Sequence, residues 1–338
     1  MARSSFPKSH ERRFEGRSTR GRPERRIPVT LFYNLTSFLA YAREMPPLGS
    51  PKSTWIQNRM GVSDMSLMAC RKGVAAGLLI ATVAYSGTAL AGDEWVFEVG
   101  GGVGYGSKYE GPDEAEFMFL PVLGITWNDT VYLTTEDGLG AVLYDNHDFT
   151  VNVSLNYDWG RDESDSSDLD GLGDVDGAAT ANLTLEYEVG PVTPFVELTR
   201  HLGGPNALEV SFGAETMIPL GVLMGQGPAS RAAESDDEGA NGPAIMAGIS
   251  ATWADDKYMK SYFGISSKQS SRSGLPQYSA KSGLKSDGVE LGFLYPVSEN
   301  WALQTMIEYE RLFGDAADSP ISKSNNVLFG GVAVSYRF

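Results

Sequence analysis

The residues of this chain that could do chemistry are few. Asp162, Glu163, Asp165, Asp168, Asp170, Asp174 and Asp176 crowd one Gly-rich run that ends at Gly177. Carboxylates in such a loop can coordinate Ca²⁺. The EF-hand register fails, however: with Asp170 and Gly171 at the fifth and sixth positions, Ser166 falls at the first and Gly177 at the last, where a bidentate glutamate belongs. The run reads as a solvated external loop, with calcium binding by 162–176 left open. A second acidic run (Glu234, Asp236, Asp237, Glu238) sits among Ala, Gly and Ser and reads as a mobile loop. A hydrolase would need a nucleophile or an acid pair worked by a histidine. Beyond residue 91 the histidines are His147, in the turn Asp145-Asn146-His147-Asp148, and His201, at the end of Thr199-Arg200-His201. Neither lies in a nucleophile motif, and Gly102-x-Gly104 lacks the following helix of a nucleotide-binding loop. The chain is therefore read as a non-enzyme with no catalytic, metal or cofactor residues assigned.

Charge divides the chain in two. Residues 1–91 hold 14 of the 27 Lys+Arg and 5 of the 43 Asp+Glu, which leaves 13 and 38 for residues 92–338, a net of −25. A body that acidic is a poor partner for nucleic acid, whose phosphates call for basic side chains. The single cysteine, Cys70, lies in the basic part, which excludes disulfides and thiolate metal sites from the body.

The elements that would carry these residues are strands. Phe149, Val151, Val153, Leu155, Tyr157 and Trp159 alternate with Thr150, Asn152, Ser154, Asn156 and Asp158. A tilted strand needs roughly 9–11 residues to cross a bilayer, the length of this segment. The same period recurs at 182–189, 208–215, 288–295, 301–310 and 327–338, and less regularly at Trp95–Gly106, Ala115–Trp127, Val131–Tyr144, Val192–His201, Ile245–Trp253 and Tyr258–Ser267. Aromatics cluster at strand ends, and the polar faces carry charges (Glu186, Glu209, Glu215, Glu308, Glu310) that a dry core could not hold unpaired. A soluble sandwich exposing that charged face is the competing fold. The fold expected is all-β, an antiparallel transmembrane β-barrel of about 12 strands, within a range of roughly 10–14. Short turns are expected at 128–129, 146–147, 190–191, 255–256 and 298–300. Long external loops are expected at 107–114, 160–176, 226–243, 268–284 and 313–324. The last strand alternates as Leu328, Gly330, Val332, Val334, Tyr336 and Phe338, and closure onto the first strand would leave it no exposed edge.

The amino-terminal part reads as a leader. Arg71-Lys72 precede the apolar run 73–84, and Ala89-Leu90-Ala91 forms a small-residue cleavage signal, so cleavage is expected between Ala91 and Gly92. Cys70 precedes the apolar run, which rules out a lipoprotein box. Residues 1–64 are Arg- and Pro-rich with little periodicity and read as a non-native or disordered extension, with the true start at Met60, Met65 or Met68. The organisation expected is thus 1–64 extension, 65–91 signal peptide and 92–338 barrel, exported to the Gram-negative outer membrane.

Three segments carry a family resemblance: Gly102–Gly111 with its Gly-Ser-Lys-Tyr-Glu-Gly, Asp255–Ile265, and Leu312–Ile321 leading into the terminal Ser335-Tyr336-Arg337-Phe338. In these the chain resembles the MipA/OmpV family (MltA-interacting protein) of outer-membrane proteins, over essentially all of 92–338. The resemblance implies a scaffold that links a lytic transglycosylase to a bifunctional penicillin-binding protein in murein synthesis. The family also includes members described as porin-like or adhesive; glutamates on the lumenal face would make a small channel cation-preferring, and the acidic loops would serve a surface adhesin. The acidic loops at 161–176 and 226–243 look longer than the family pattern. Tyr336 and Phe338 are expected to form the signal read by the barrel-insertion machinery, and outer-membrane lipid is expected to surround the wall.

Overall fold

The computed structural model describes residues 95–112, 114–146, 148–224 and 242–338. Twelve strands are present among them: β1 (Trp95–Ser107), β2 (Ala115–Trp127), β3 (Val131–Thr134), β4 (Gly138–Asn146), β5 (Phe149–Asp158), β6 (Ala178–Tyr187), β7 (Val192–His201), β8 (Leu208–Pro219), β9 (Ala244–Ala254), β10 (Gly283–Pro296), β11 (Trp301–Leu312) and β12 (Asn326–Arg337). Each pairs antiparallel with its sequence neighbour, and β12 pairs with β1 from Glu98↔Arg337 to Tyr105↔Gly330, so the sheet closes. Closure gives every strand two neighbours and removes the edge that an apolar terminal strand would otherwise expose.

The period of two decides what faces where. Ile249, Leu291, Ile307 and Leu328 point outward and are more than half exposed. Their neighbours Gly248, Glu290, Glu308 and Phe329 point into the barrel. In water so broad an apolar surface would aggregate; against hydrocarbon it is matched. Aromatics mark both rims of this band, with Trp95, Trp127, Trp301 and Tyr336 at one end and Tyr105, Phe117, Tyr157 and Trp159 at the other. The glycines of β1 serve close approach. A Cβ on Gly102 would strike the Val332 carbonyl and Ala333 of β12. Gly104 and Gly106 make room for the ring of Phe329, which packs with Met118, Leu120 and Met306 in a lumenal apolar patch.

Both ends of the barrel chain lie at the end of the short connections 128–130, 147–148, 188–191 and 297–300. Asn128 and Asp129 both adopt positive φ, the backbone of a tight two-residue hairpin. Short turns mark the periplasmic end of such barrels. The connections 108–114, 159–177, 255–282 and 313–325 lie at the opposite, outer end.

Three expectations are corrected. Val131–Tyr144 is a hairpin, β3 and β4, because Thr134 and Thr135 tie a turn at 135–137: the Thr135 hydroxyl donates to the Pro121 carbonyl, and Asp137 N–H donates to the Thr134 hydroxyl. Tyr258–Ser267 is not a strand; Asp256–Tyr262 is a helix, here α2, and Ser267–Ser273 forms a second, α3. The strand count agreed only because these two errors offset each other. Finally, β8 ends and β9 begins at the end of the short turns, with the single-turn helix α1 (Leu220–Leu223) following β8. Both strand ends that flank the expected external loop 226–243 therefore lie at the short-turn end. Residues 225–241, His147, and the cleavage residues Ala89, Ala91 and Gly92 lie outside the described residues.

Candidate functional site: a cap locked by a buried ion cluster

The outer connections fold together into a cap with its own core. Helix α2 begins at Asp255, whose carboxylate accepts from the N–H groups of Lys257 and Tyr258, 3.0 and 2.9 Å away. These N-cap bonds satisfy donors that helix geometry leaves open. Tyr258, Met259, Tyr262 and Phe263 follow at helical spacing, and all four are buried with Ala207, Ala254, Ala280, Leu312 and Ala316. The last of these lies on α4 (Gly314–Ala317). Beside them Tyr109, Leu169, Leu172, Ile265 and Ile321 form a second cluster.

The acidic run is part of this cap and is not a freely solvated loop. Leu169 and Leu172 are almost wholly buried. Its carboxylates are engaged in folding: Asp165 accepts from Asp162 N–H, Asp174 from Glu163 N–H and Glu163 from Gly171 N–H. Among the described residues no cluster of acidic, histidine or cysteine side chains has the arrangement to hold a metal ion.

Where the cap meets the wall, charged groups converge. The Lys285 ammonium lies 2.6 Å from Glu110 Oε1 and 3.0 Å from Glu209 Oε1. It also reaches the Tyr258 hydroxyl at 3.4 Å and stands 4.7 Å from the centre of that ring, a cation–π contact. The Tyr258 hydroxyl donates to Glu110 Oε1 at 3.1 Å. The other Glu209 oxygen lies 3.2 Å from His201 Nε2, and His201 Nδ1 is 3.3 Å from Asp158 Oδ2 without the alignment of a hydrogen bond. Tyr262, stacked on Tyr258 at 4.4 Å, donates to the same Asp158 oxygen at 2.7 Å. Arg161 donates to the Tyr262 carbonyl at 2.7 Å. Burial raises the Glu110 carboxyl above its ordinary range against the pull of Lys285, and it raises both tyrosine hydroxyls well above theirs, most strongly through desolvation.

Chemically the cluster can hold and orient charged and hydroxyl groups against one another. Both ring nitrogens of His201 face carboxylates, and the hydroxyls beside it are tyrosines already bonded to carboxylates. Of the candidate histidines, the structure brings His201 into the cluster. Sequence reasoning missed Lys285, Glu110, Asp158 and Tyr258 as a group. Its one pointer was indirect: the three segments that carry the family resemblance supply Glu110, Tyr258, Tyr262, Phe263, Leu312, Ala316 and Ile321, and all of these meet in the cap.

An outer membrane channel from Pseudomonas putida F1 is similar in fold at 13% identity and a TM-score of 0.37, covering 72% of this chain and 96% of that one. The MltA-interacting protein of Escherichia coli K12 is 28% identical over 97 residues, 29% of this chain and 39% of that protein. An outer membrane protein of the same strain, YiaT, is 32% identical over 90 residues, 27% of this chain and 36% of that protein. The match spans about two fifths of the length of these curated relatives. The model of the family described as MltA-interacting protein MipA matches residues 99–338, so nearly the whole described barrel belongs to that family, and the chain is a MipA-family outer-membrane β-barrel.

Proposed function

We propose that this protein is a non-enzymatic scaffold of the outer membrane that holds a murein hydrolase and a murein synthase together at its periplasmic end. The observation that carries the reading is the cap. The outer connections pack into two buried clusters of their own, which favours the end with the short turns as the surface for partners. A relative's name, MltA-interacting protein, supports a murein-enzyme partner. The test is a crosslinked pull-down of the tagged, membrane-inserted protein. The expected result is recovery of a lytic transglycosylase with a bifunctional penicillin-binding protein; recovery of the insertion machinery alone would count against the scaffold.

Export follows the signal peptide 65–91, with cleavage between Ala91 and Gly92, and residues 1–64 are no part of the mature protein. Amino-terminal sequencing of the mature barrel checks this, since a start other than Gly92 would refute it. Tyr336 and Phe338 are the assembly signal. Their rings meet edge-on at 4.9 Å on the outer surface, where insertion machinery could read them. A Phe338 deletion that inserts as well as the parent would remove that role.

A second reading, a cation channel, is favoured by the inward-facing Glu290, Glu308 and Glu310.

A further inference from the structure

Lys285 owes its position to an irregularity of β10. Leu284 pairs with Trp253 and Ser286 with Thr252, so Lys285 is an extra residue with no ladder partner on β9. Strict alternation from the outward-facing Val289 would have turned Lys285 toward lipid. The bulge turns it inward instead, and bulges commonly re-aim one side chain in this way. The ammonium then meets Glu110, 175 residues away in sequence, Glu209, 76 away, and Tyr258, 27 away. One cation thus joins the β1–β2 connection, the wall strand β8 and the cap helix α2.

Below the cap the wall is strongly acidic on one side. Glu290 and Glu308 sit directly opposite each other across the β10–β11 ladder, and Glu310 lies opposite Gly288 on the same lumenal face. Carboxyl groups this close cannot all ionise in a dry interior and call for water, shared protons or cations in the lumen. The cap above them is held without a covalent tie, since the chain has no cysteine after Cys70.

We propose that Lys285 is the latch of a gated cation path: its ammonium holds α2 and the β1–β2 connection across the outer mouth, and its withdrawal opens a lumen lined by Glu290, Glu308 and Glu310. The latch is a single point charge, and removing one partner of a buried ion pair is strongly destabilising. While Lys285 bridges the two carboxyl groups the cap stays down; once the cation leaves, Glu209 keeps only His201 and Glu110 must take up a proton or reach water. The path half of this inference rests on the channel reading, whereas the latch half does not.

The two halves separate in one experiment on the full chain. Ser250 lies on the lumenal face of β9, opposite Gly288, and Ser250→Cys gives a single thiol in the mature barrel. Intact cells are exposed to a membrane-impermeant maleimide, and insertion is checked by the mobility shift on heating. Labelling is expected to be slow in the Ser250→Cys parent, slow with Lys285→Arg, which keeps a cation, and about a hundredfold faster with Lys285→Met, the scale implied by breaking a buried ion pair. Should Lys285→Met fail to insert, Glu209→Gln removes the anion shared by Lys285 and His201 with no change of shape, and it decides by the same assay. Unchanged labelling in an inserted variant overturns the latch. Purified Lys285→Met is then placed in a planar bilayer in potassium chloride, where cation-selective steps are expected. Fast labelling without conductance would keep the latch and overturn the cation path.

Discussion

In β9 the side chains of Ile245, Ile249 and Trp253 face outward while those of Met246, Ser250 and Thr252 face inward. A few residues further on, in α2, Tyr258, Met259 and Tyr262 all turn to one buried side. The wall and the cap are thus stabilised differently. Each wall strand is held by ladder hydrogen bonds to two neighbours, and its apolar side chains face outward. The cap buries its apolar side chains in a small globular core, as a soluble domain does, and then fastens that core to the wall through charge. A change in the wall should act on assembly of the whole barrel. A change in the cap should act on the mouth and leave the barrel closed.

The largest expected effect tests the wall. Gly102→Val would place a side chain against the Val332 carbonyl and Ala333, atoms of the strand that closes the barrel. Backbone cannot move aside as a flexible side-chain tip can, so the cost exceeds the roughly 1–3 kcal/mol of ordinary overpacking. The expected outcome is loss of the heat-modifiable folded band. A variant that folds and inserts normally would show that the β1–β12 seam is not a rigid contact.

A cap substitution should behave differently. Phe263 is fully buried between α2 and its neighbours, and Phe263→Ala is expected to cost the cap about 3–5 kcal/mol. Limited proteolysis should then cut within 255–282 while the folded band persists. If the folded band is lost together with the cap, the two regions form one cooperative unit and the contrast between them fails.

That contrast also explains what the sequence disclosed. Period-two alternation over ten or more residues is a direct trace of a surface with lipid on one side, so β5, β11 and β12 could be read with near-correct bounds. The segment Tyr258–Ser267 misled because Tyr258, Tyr262 and Phe263 suit a strand as well as a helix by composition. The deciding feature was the N-cap at Asp255, in a pair of aspartates that also reads as a turn. Lys285 was illegible for a sharper reason. Its direction is set by a one-residue bulge, and a bulge inverts parity without leaving a compositional mark. The acidic run 162–176 looked solvated because its carboxylates were countable, whereas the N–H groups that occupy them belong to a backbone path that no pattern encodes. The directions of β8 and β9 followed only once 131–144 was known to be two strands, since one missing strand reverses the direction of every strand until the next error restores it.

The smallest expected effect lies at the exposed edge of the cap and distinguishes that edge from its buried hub. Asp256, the first residue of α2, accepts from Ser282 N–H at 2.7 Å and lies 3.2 Å from the Lys260 ammonium. The Ser282 bond, and after it Lys260, hold its carboxyl below the ordinary aspartate range. A carboxylate with a depressed folded pKa stabilises the fold above its unfolded pKa and loses that contribution as pH falls through the folded value. Glu110 has the opposite sign. Burial raises its pKa, so its contribution is present in acid and fades as pH rises through a window above the ordinary glutamate value. The two windows do not overlap. Protection of 255–282 from proteolysis should therefore be lower in Asp256→Asn than in the parent at neutral pH. The difference should shrink below about pH 4, where the unfolded aspartate protonates. A deficit that stays constant across that range would mean that Asp256 acts through shape alone and that charge fastens the cap only at its buried hub.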